Sequence, residues 1–195
     1  MILLLALAGG VPVGLAWSRW RGHAYQPPEL QAAWLAVLAF LPQFVLLYLP
    51  YFRERINDWF SAACLIASLL LFLGFTWLNR RVPGMSILLL GLVLNLTVIA
   101  LNGGFMPISP QTAGHLVSEN GMLDYGPGDR FGTKDILLLP EHTRFEWLAD
   151  RFLTPAWISY RAAFSLGDVL VAIGAFVILA WTGDPVTIKN RGVSL

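Results

Sequence analysis

The chain has 195 residues and a net charge of +1; 56% of it is hydrophobic and 13% charged. Soluble domains carry about 25% charged residues, and a mean hydropathy of +0.63 is more than a water-soluble fold can hide. The near-neutral charge and the lack of basic runs exclude a nucleic-acid surface. The single Cys64 excludes an intramolecular disulfide.

The expected fold is an all-α membrane protein, a five-span transmembrane helix bundle. A spanning helix needs about 20 mostly apolar residues. In chain order the candidates are Met1–Ser18, Leu30–Phe52, Trp59–Leu78, Pro83–Leu101 and Ser165–Thr182. Residues 1–101 thus hold four spans, 102–164 form an extramembrane loop, 165–182 make the fifth span and 183–195 a tail. The first span carries Ala6-Leu7-Ala8, which resembles a cleavage site. No Lys or Arg precedes it, so it reads as a retained span. Trp17, Trp20, Trp34, Tyr48, Tyr51, Trp59, Trp77 and Trp181 fall near the ends of these runs, where amphipathic rings favour the headgroup layer.

Positive charge in short loops sets orientation. Arg19, Arg21, Arg80, Arg81, Lys189 and Arg191 fall on one side, against Arg53 and Arg55 on the other. The amino terminus is therefore expected outside and the tail in the cytoplasm. The interiors of the spans lack Asp, Glu, Lys, Arg and His, which argues against a proton pump, a voltage sensor or a transporter with a charged relay. Gln43, Ser61, Ser68, Thr76, Asn95 and Thr97 read as hydrogen-bonding residues between helices, with Asn95 also a candidate ligand contact. Gly10 and Gly14 form a small-residue pair that allows close helix approach.

After the fourth span, Asn102-Gly103-Gly104 reads as a helix stop, with Pro107 and Pro110 preventing a restart. The alternative is a glycine-lined backbone at which Asn102, Gly103, Gly104 and Met106 contact a ligand or partner. The stretch 112–135 is rich in Gly and turn signals and reads as irregular. From about 141 to 153, Phe145, Leu148 and Phe152 recur at helical spacing. That predicts a short amphipathic helix in the interface, with Asp150 on it and solvated. His23, His115 and His142 show no metal-ligand pattern, so neither a metal nor a cofactor is expected.

Ser165-Leu166-Gly167-Asp168 matches a capping box ahead of an apolar run. Asp168 then ties off backbone amides and suits the helix dipole. The functional alternative needs a second carboxylate sharing a proton with it; Asp150 and Asp129 are the candidates.

The "NGGFMP" and "FSLGDVLVAIGAF" segments resemble a family of bacterial polytopic membrane proteins known only as a domain of unknown function. The resemblance runs through Asn102, Gly103, Gly104, Met106, Pro107, Asp150, Ser165, Gly167 and Asp168, and implies a membrane protein with no established activity. A fainter one is to lipoprotein signal peptidase, a membrane aspartyl protease with an F-N-x-A-D motif at the head of its last span. Phe164 and Asp168 match that spacing, while Ser165 and Gly167 depart from it. It implies a peptidase with Asp168 and Asp150 as its catalytic pair. The leading expectation is instead a non-enzymatic protein in the lipid bilayer, binding a membrane partner or a lipid-soluble ligand.

Overall fold

In the computed structural model, residues 2–45, 56–117, 119–155, 158 and 160–181 are described. Tyr48, Tyr51, Arg53, Arg55, the end of the fifth span at Thr182 and the tail with Lys189 and Arg191 lie outside them. Five apolar helices dominate: α1 (Ile2–Trp20), α2 (Ala33–Gln43), α3 (Asp58–Leu78), α4 (Met85–Leu101) and α7 (Leu166–Ala180). Among the described residues, α1 and α3 are long and apolar enough to cross a membrane; α2, α4 and α7 are shorter apolar helices.

The fold is not all-helical, which corrects one expectation. Between α4 and α7 lie β1 (Met106–Ile108), the short helices α5 (Pro110–Gly114) and α6 (Glu119–Met122), and strands β2 (Arg130–Phe131), β3 (Asp135–Leu137), β4 (Phe152–Leu153) and β5 (Ala163–Phe164). β3 pairs with β1 in parallel and with β2 antiparallel, while β4 and β5 form a separate antiparallel pair. The stretch read as irregular thus contains part of a small sheet.

The predicted helix over 141–153 does not form either. Pro140–His142 and Glu146–Leu148 are separate 3-10 turns, and Phe145 between them adopts a left-handed φ of 55°. Leu148 turns into the core, whereas Phe152 stacks on Phe164 across β4–β5, with ring centroids 5.7 Å apart. Tertiary contacts have overridden a helical spacing that is too short to hold on its own.

Helix packing follows from small residues. α7 packs against both α1 and α4. Gly10 and Gly14 of α1 lie against Phe176, Leu179 and Ala180, and Tyr25 Oη donates to the Leu179 carbonyl at 2.7 Å. A methyl group on Gly91 of α4 would come within 2.6 Å of the Gly167 carbonyl oxygen, and one on Gly174 within 2.6 Å of the Leu88 amide nitrogen. These contacts make α4 antiparallel to α7 and α1 parallel to it. At the far end, Asn79 closes α3 by donating to Phe75 O and Gln31 O and accepting from Gln31 N, at 2.8, 2.9 and 2.7 Å. That holds the lead-in to α2 beside the end of α3.

The start of α1, the start of α3, the end of α4 and the start of α7 therefore gather at one end of the bundle, under the sheet. Asn57 caps α3 by accepting from the Phe60 amide at 2.9 Å, and Arg130 reaches down to Asp58 at 3.0 Å while lying over the Phe105 ring at 4.8 Å. α4 stops where expected. Gly103 and Gly104 take φ of +83° and +88°, the left-handed region where a Cβ is strained, and the Gly104 amide returns to Ile99 O at 2.9 Å.

Candidate functional site

Two polar networks meet at this end. The first grows out of the N-terminus of α7. Ser165 Oγ accepts from the Asp168 amide at 3.0 Å, and an Asp168 carboxylate oxygen accepts from the Ser165 amide at 3.4 Å, so the capping box is formed. Asn95 of α4 locks it: its Nδ2 donates to Asp168 Oδ1 at 2.7 Å and its Oδ1 accepts from Ser165 Oγ at 3.0 Å. Asn95 can do this only because Gly167 leaves room; a side chain there would collide with the Asn95 amide. Sequence reading saw both the cap and Asn95, but not that they form one unit.

The second network is assembled by the sheet. β1 lies between β3 and the Asp150 segment: Met106 N donates to Lys134 O at 2.9 Å, and Asp150 N donates to Pro107 O at 3.0 Å. Lys134 and Asp150 arrive from opposite sides of β1, and Lys134 Nζ meets Asp150 Oδ2 at 2.6 Å and Asp135 Oδ1 at 3.2 Å. The Asp150 side chain is 1% exposed and that of Lys134 34%. The expected solvated Asp150 is thus corrected to a buried, paired one. Its other oxygen, Oδ1, has no donor among the described residues.

Burial governs the titration here. It lifts the Asp150 carboxyl to about 7; Lys134 opposes that rise, while Asp135 and Asp168 add to it. Asp135 is raised by burial too, against the pull of Lys134 and a hydrogen bond with Asp150. Burial pulls the Lys134 ammonium down, but Asp135, Asp150 and Asp168 together outweigh it and hold it well above the ordinary lysine value. Lys134 stays charged.

The folded state binds a proton at Asp150 more tightly than the unfolded chain does, whose aspartates titrate near about 3.9. This contribution to stability is complete below that value and is lost as pH rises through about 7. The unfolding midpoint in mild detergent is accordingly expected to be higher at pH 5 than at pH 8. Asp150→Asn, which keeps an acceptor for Lys134, should flatten the profile; an unchanged slope in that variant would place the titration elsewhere.

Between the networks lies a cavity of about 200 Å³ lined by Ile2, Leu3, Lys134, Ala162, Ala163, Phe164, Asp168 and Val171. Most of its lining side chains are apolar, and Lys134 and Asp168 are the charged ones. No grouping of His, Cys, Asp and Glu suited to a metal ion occurs among the described residues.

Of the other anticipated contact residues, Asn102, Gly104 and Met106 are buried, while Gly103 is exposed with nothing within 4 Å of where a Cβ would stand. Asn102 is buried: its Nδ2 donates to Val98 O and Arg144 O, and its Oδ1 accepts from the Arg144 amide, each at 2.8 Å. Gly104 abuts Ala62, and Met106 is a core residue. These groups join the sheet to the bundle. Asp150 and Asp168 do enter one electrostatic cluster, yet no hydrogen bond joins them among the described residues; Lys134 donates to Asp150 and Asn95 to Asp168. Asp129 instead accepts from the Gly126 amide at 2.7 Å, closing its own turn.

Residues 28–180 match the family model described as "Family of unknown function (DUF5317)". The chain belongs to that family. The matched stretch spans α2 through α7 and so includes every side chain of both networks. This DUF5317 protein is also 32% identical over 131 residues to an "Uncharacterized protein" of Thermotoga maritima, which covers 65% of this chain and 67% of that protein. No solved structure matches it. The expected membership in a family without a known activity is thereby shown, while the comparisons add nothing for a signal peptidase.

Lys134 and Asp135 were missed from sequence. Adjacent opposite charges in a Gly-rich stretch are commonplace on solvated turns. The one local signal was the apolar run Ile136–Leu139 that follows them, which reads as a strand once alternation is set aside.

Proposed function

We propose that this DUF5317 chain is a five-span protein of the bacterial inner membrane, amino terminus outside, that binds a lipid-soluble ligand at the outer end of its bundle. The observation that carries this reading is the cavity between α1, α7 and the sheet. A pocket with apolar walls and a few convergent polar groups is the usual form of a small-molecule site, and this one opens where headgroups meet acyl chains. The five helices alternate in direction, as consecutive spans must, and their shared end carries the 102–164 segment that charge asymmetry puts outside. Trp17, Trp20 and Trp77 fall at the opposite end with Arg21 and Arg80 over their rings, as in an aromatic belt with cationic anchors. The work is binding rather than chemistry: Asp150 is engaged by Lys134 and Asp168 by Asn95 and its own cap, so the two do not face each other as an aspartyl dyad would.

Native mass spectrometry of protein extracted from membranes tests this. A lipid-sized adduct is expected on the wild type and is expected to be lost in Leu3→Trp, where the new ring fills the cavity from the exposed side of α1. Equal adducts on both proteins would remove the cavity from the account.

A further inference from the structure

The charge pattern around the cavity narrows the ligand class, an inference that rests on the binding reading above. Lys134 is neutralised from behind by the Asp135 and Asp150 carboxyls, which take two of its three N–H donors. Lys134 lines the cavity, and one donor remains for a ligand. Asp168 also lines it, half-buried. Among the described residues no cation lies within ion-pair distance of Asp168; its hydrogen bonds come from the neutral Asn95 side chain and the Ser165 amide. The start of α7 offsets part of this charge, but each carboxylate oxygen can accept more than one hydrogen bond.

Three carboxyl groups thus gather around a single ammonium. Buried charge is costly until it is paired, and Asp150 Oδ1 is already a buried oxygen without a donor in the same cluster. The cavity therefore presents an acceptor, Asp168, and a donor, Lys134, in walls they share with Ile2, Leu3 and Val171. A head with an N–H-bearing cation linked to an anion meets both.

We propose that the cavity recognises a zwitterionic amphiphile with a primary ammonium next to a phosphate, the ammonium donating to Asp168 and the phosphate accepting from Lys134. Phosphatidylethanolamine has this chemistry. Phosphatidylcholine lacks the N–H donors, and phosphatidylglycerol lacks the cation. Soluble phosphoethanolamine has the same head without the tail.

The test is a titration of delipidated full-length protein with these four compounds, read by native mass spectrometry. Binding of phosphatidylethanolamine is expected to be at least about tenfold tighter than that of the other two lipids, with Asp168→Asn removing the difference. That variant keeps an acceptor for the cap, and a circular-dichroism melt confirms its fold; should it fail to fold, the wild-type preference and its loss in Leu3→Trp still decide the matter. Phosphoethanolamine competing at similar strength would keep the ammonium recognition and assign it to a soluble ligand. Equal affinity for phosphatidylcholine, or a preference for phosphatidylglycerol, would overturn the proposal while a Leu3→Trp-sensitive adduct left the binding reading intact. Failure of both would sink both.

Discussion

Replacing Gly167 by Ala is expected to destabilise the protein by about 1–3 kcal/mol, the range of a forced overpacking in a close-fitted core. The added methyl would collide with the Asn95 side chain and lie 2.9 Å from the Gly91 carbonyl oxygen. Both belong to α4, so the helices cannot relieve the clash without parting. Parting them breaks the Asn95–Asp168 and Asn95–Ser165 hydrogen bonds and uncovers the cavity wall at Val171. Alanine favours a helix by up to about 1 kcal/mol over glycine, which does not offset this. Gly74→Ala is the control: nothing lies within 4 Å of the new methyl, and the same propensity gain should leave that variant as stable as the wild type or slightly more so. Thermal unfolding of the three proteins in one detergent reads the difference. Equal midpoints for Gly167→Ala and Gly74→Ala would show that α4 and α7 are not in the close contact on which the site is built.

The second large effect is expected from Lys134→Met. It keeps the length and removes the charge that Asp150 faces at 2.6 Å. Stranding a buried carboxylate costs about 3 kcal/mol, the lower end for a broken buried pair, because Lys134 is itself one-third exposed. The cost depends on pH with a definite sign. Without the ammonium, the folded-state value of Asp150 rises beyond about 7, so the carboxyl stays protonated over a wider range and stability falls as pH increases. At pH 5 the loss should shrink to about 1 kcal/mol, the worth of one ordinary hydrogen bond. At pH 8 it should reach its full size. Adding Asp150→Leu to Lys134→Met should recover much of the loss at pH 8, since no buried charge is then left alone. A Lys134→Met penalty independent of pH, or a double variant no better than the single one, would show that the pair is not the buried unit described.

The helices were readable because their signals are local. Apolar runs, the S-x-x-D cap before α7 and the glycine pair after α4 each act within a few residues; the structure places the cap and the glycine stop where they were read and puts an apolar helix in each run, the second over Ala33–Gln43. The 102–164 segment was not readable for the opposite reason. Its strands are two or three residues long and exist through pairings between distant parts of the chain, such as Met106 with Asp135 and Ile108 with Asp150. Phe145, Leu148 and Phe152 mimic a helix face because three apolar residues serve three different neighbours. The fate of Asp150 shows what this cost: read as helical, it was solvated; seated beside β1, it is buried and needs Lys134. Asp168 was read correctly as a cap, and the structure adds the partner that sequence spacing could not supply, Asn95 from 73 residues away.

The account rests on the sheet and its cavity facing outward from a bundle that crosses the membrane, so side-specific labelling tests it most directly. In a Cys64→Ser background, Leu123→Cys sits on the exposed 102–164 segment, and Arg81→Cys on the exposed turn at the opposite end. A membrane-impermeant maleimide applied to intact spheroplasts should label Leu123→Cys at once and Arg81→Cys only after permeabilisation. Labelling of Arg81→Cys alone, or of both sites equally before permeabilisation, would contradict it.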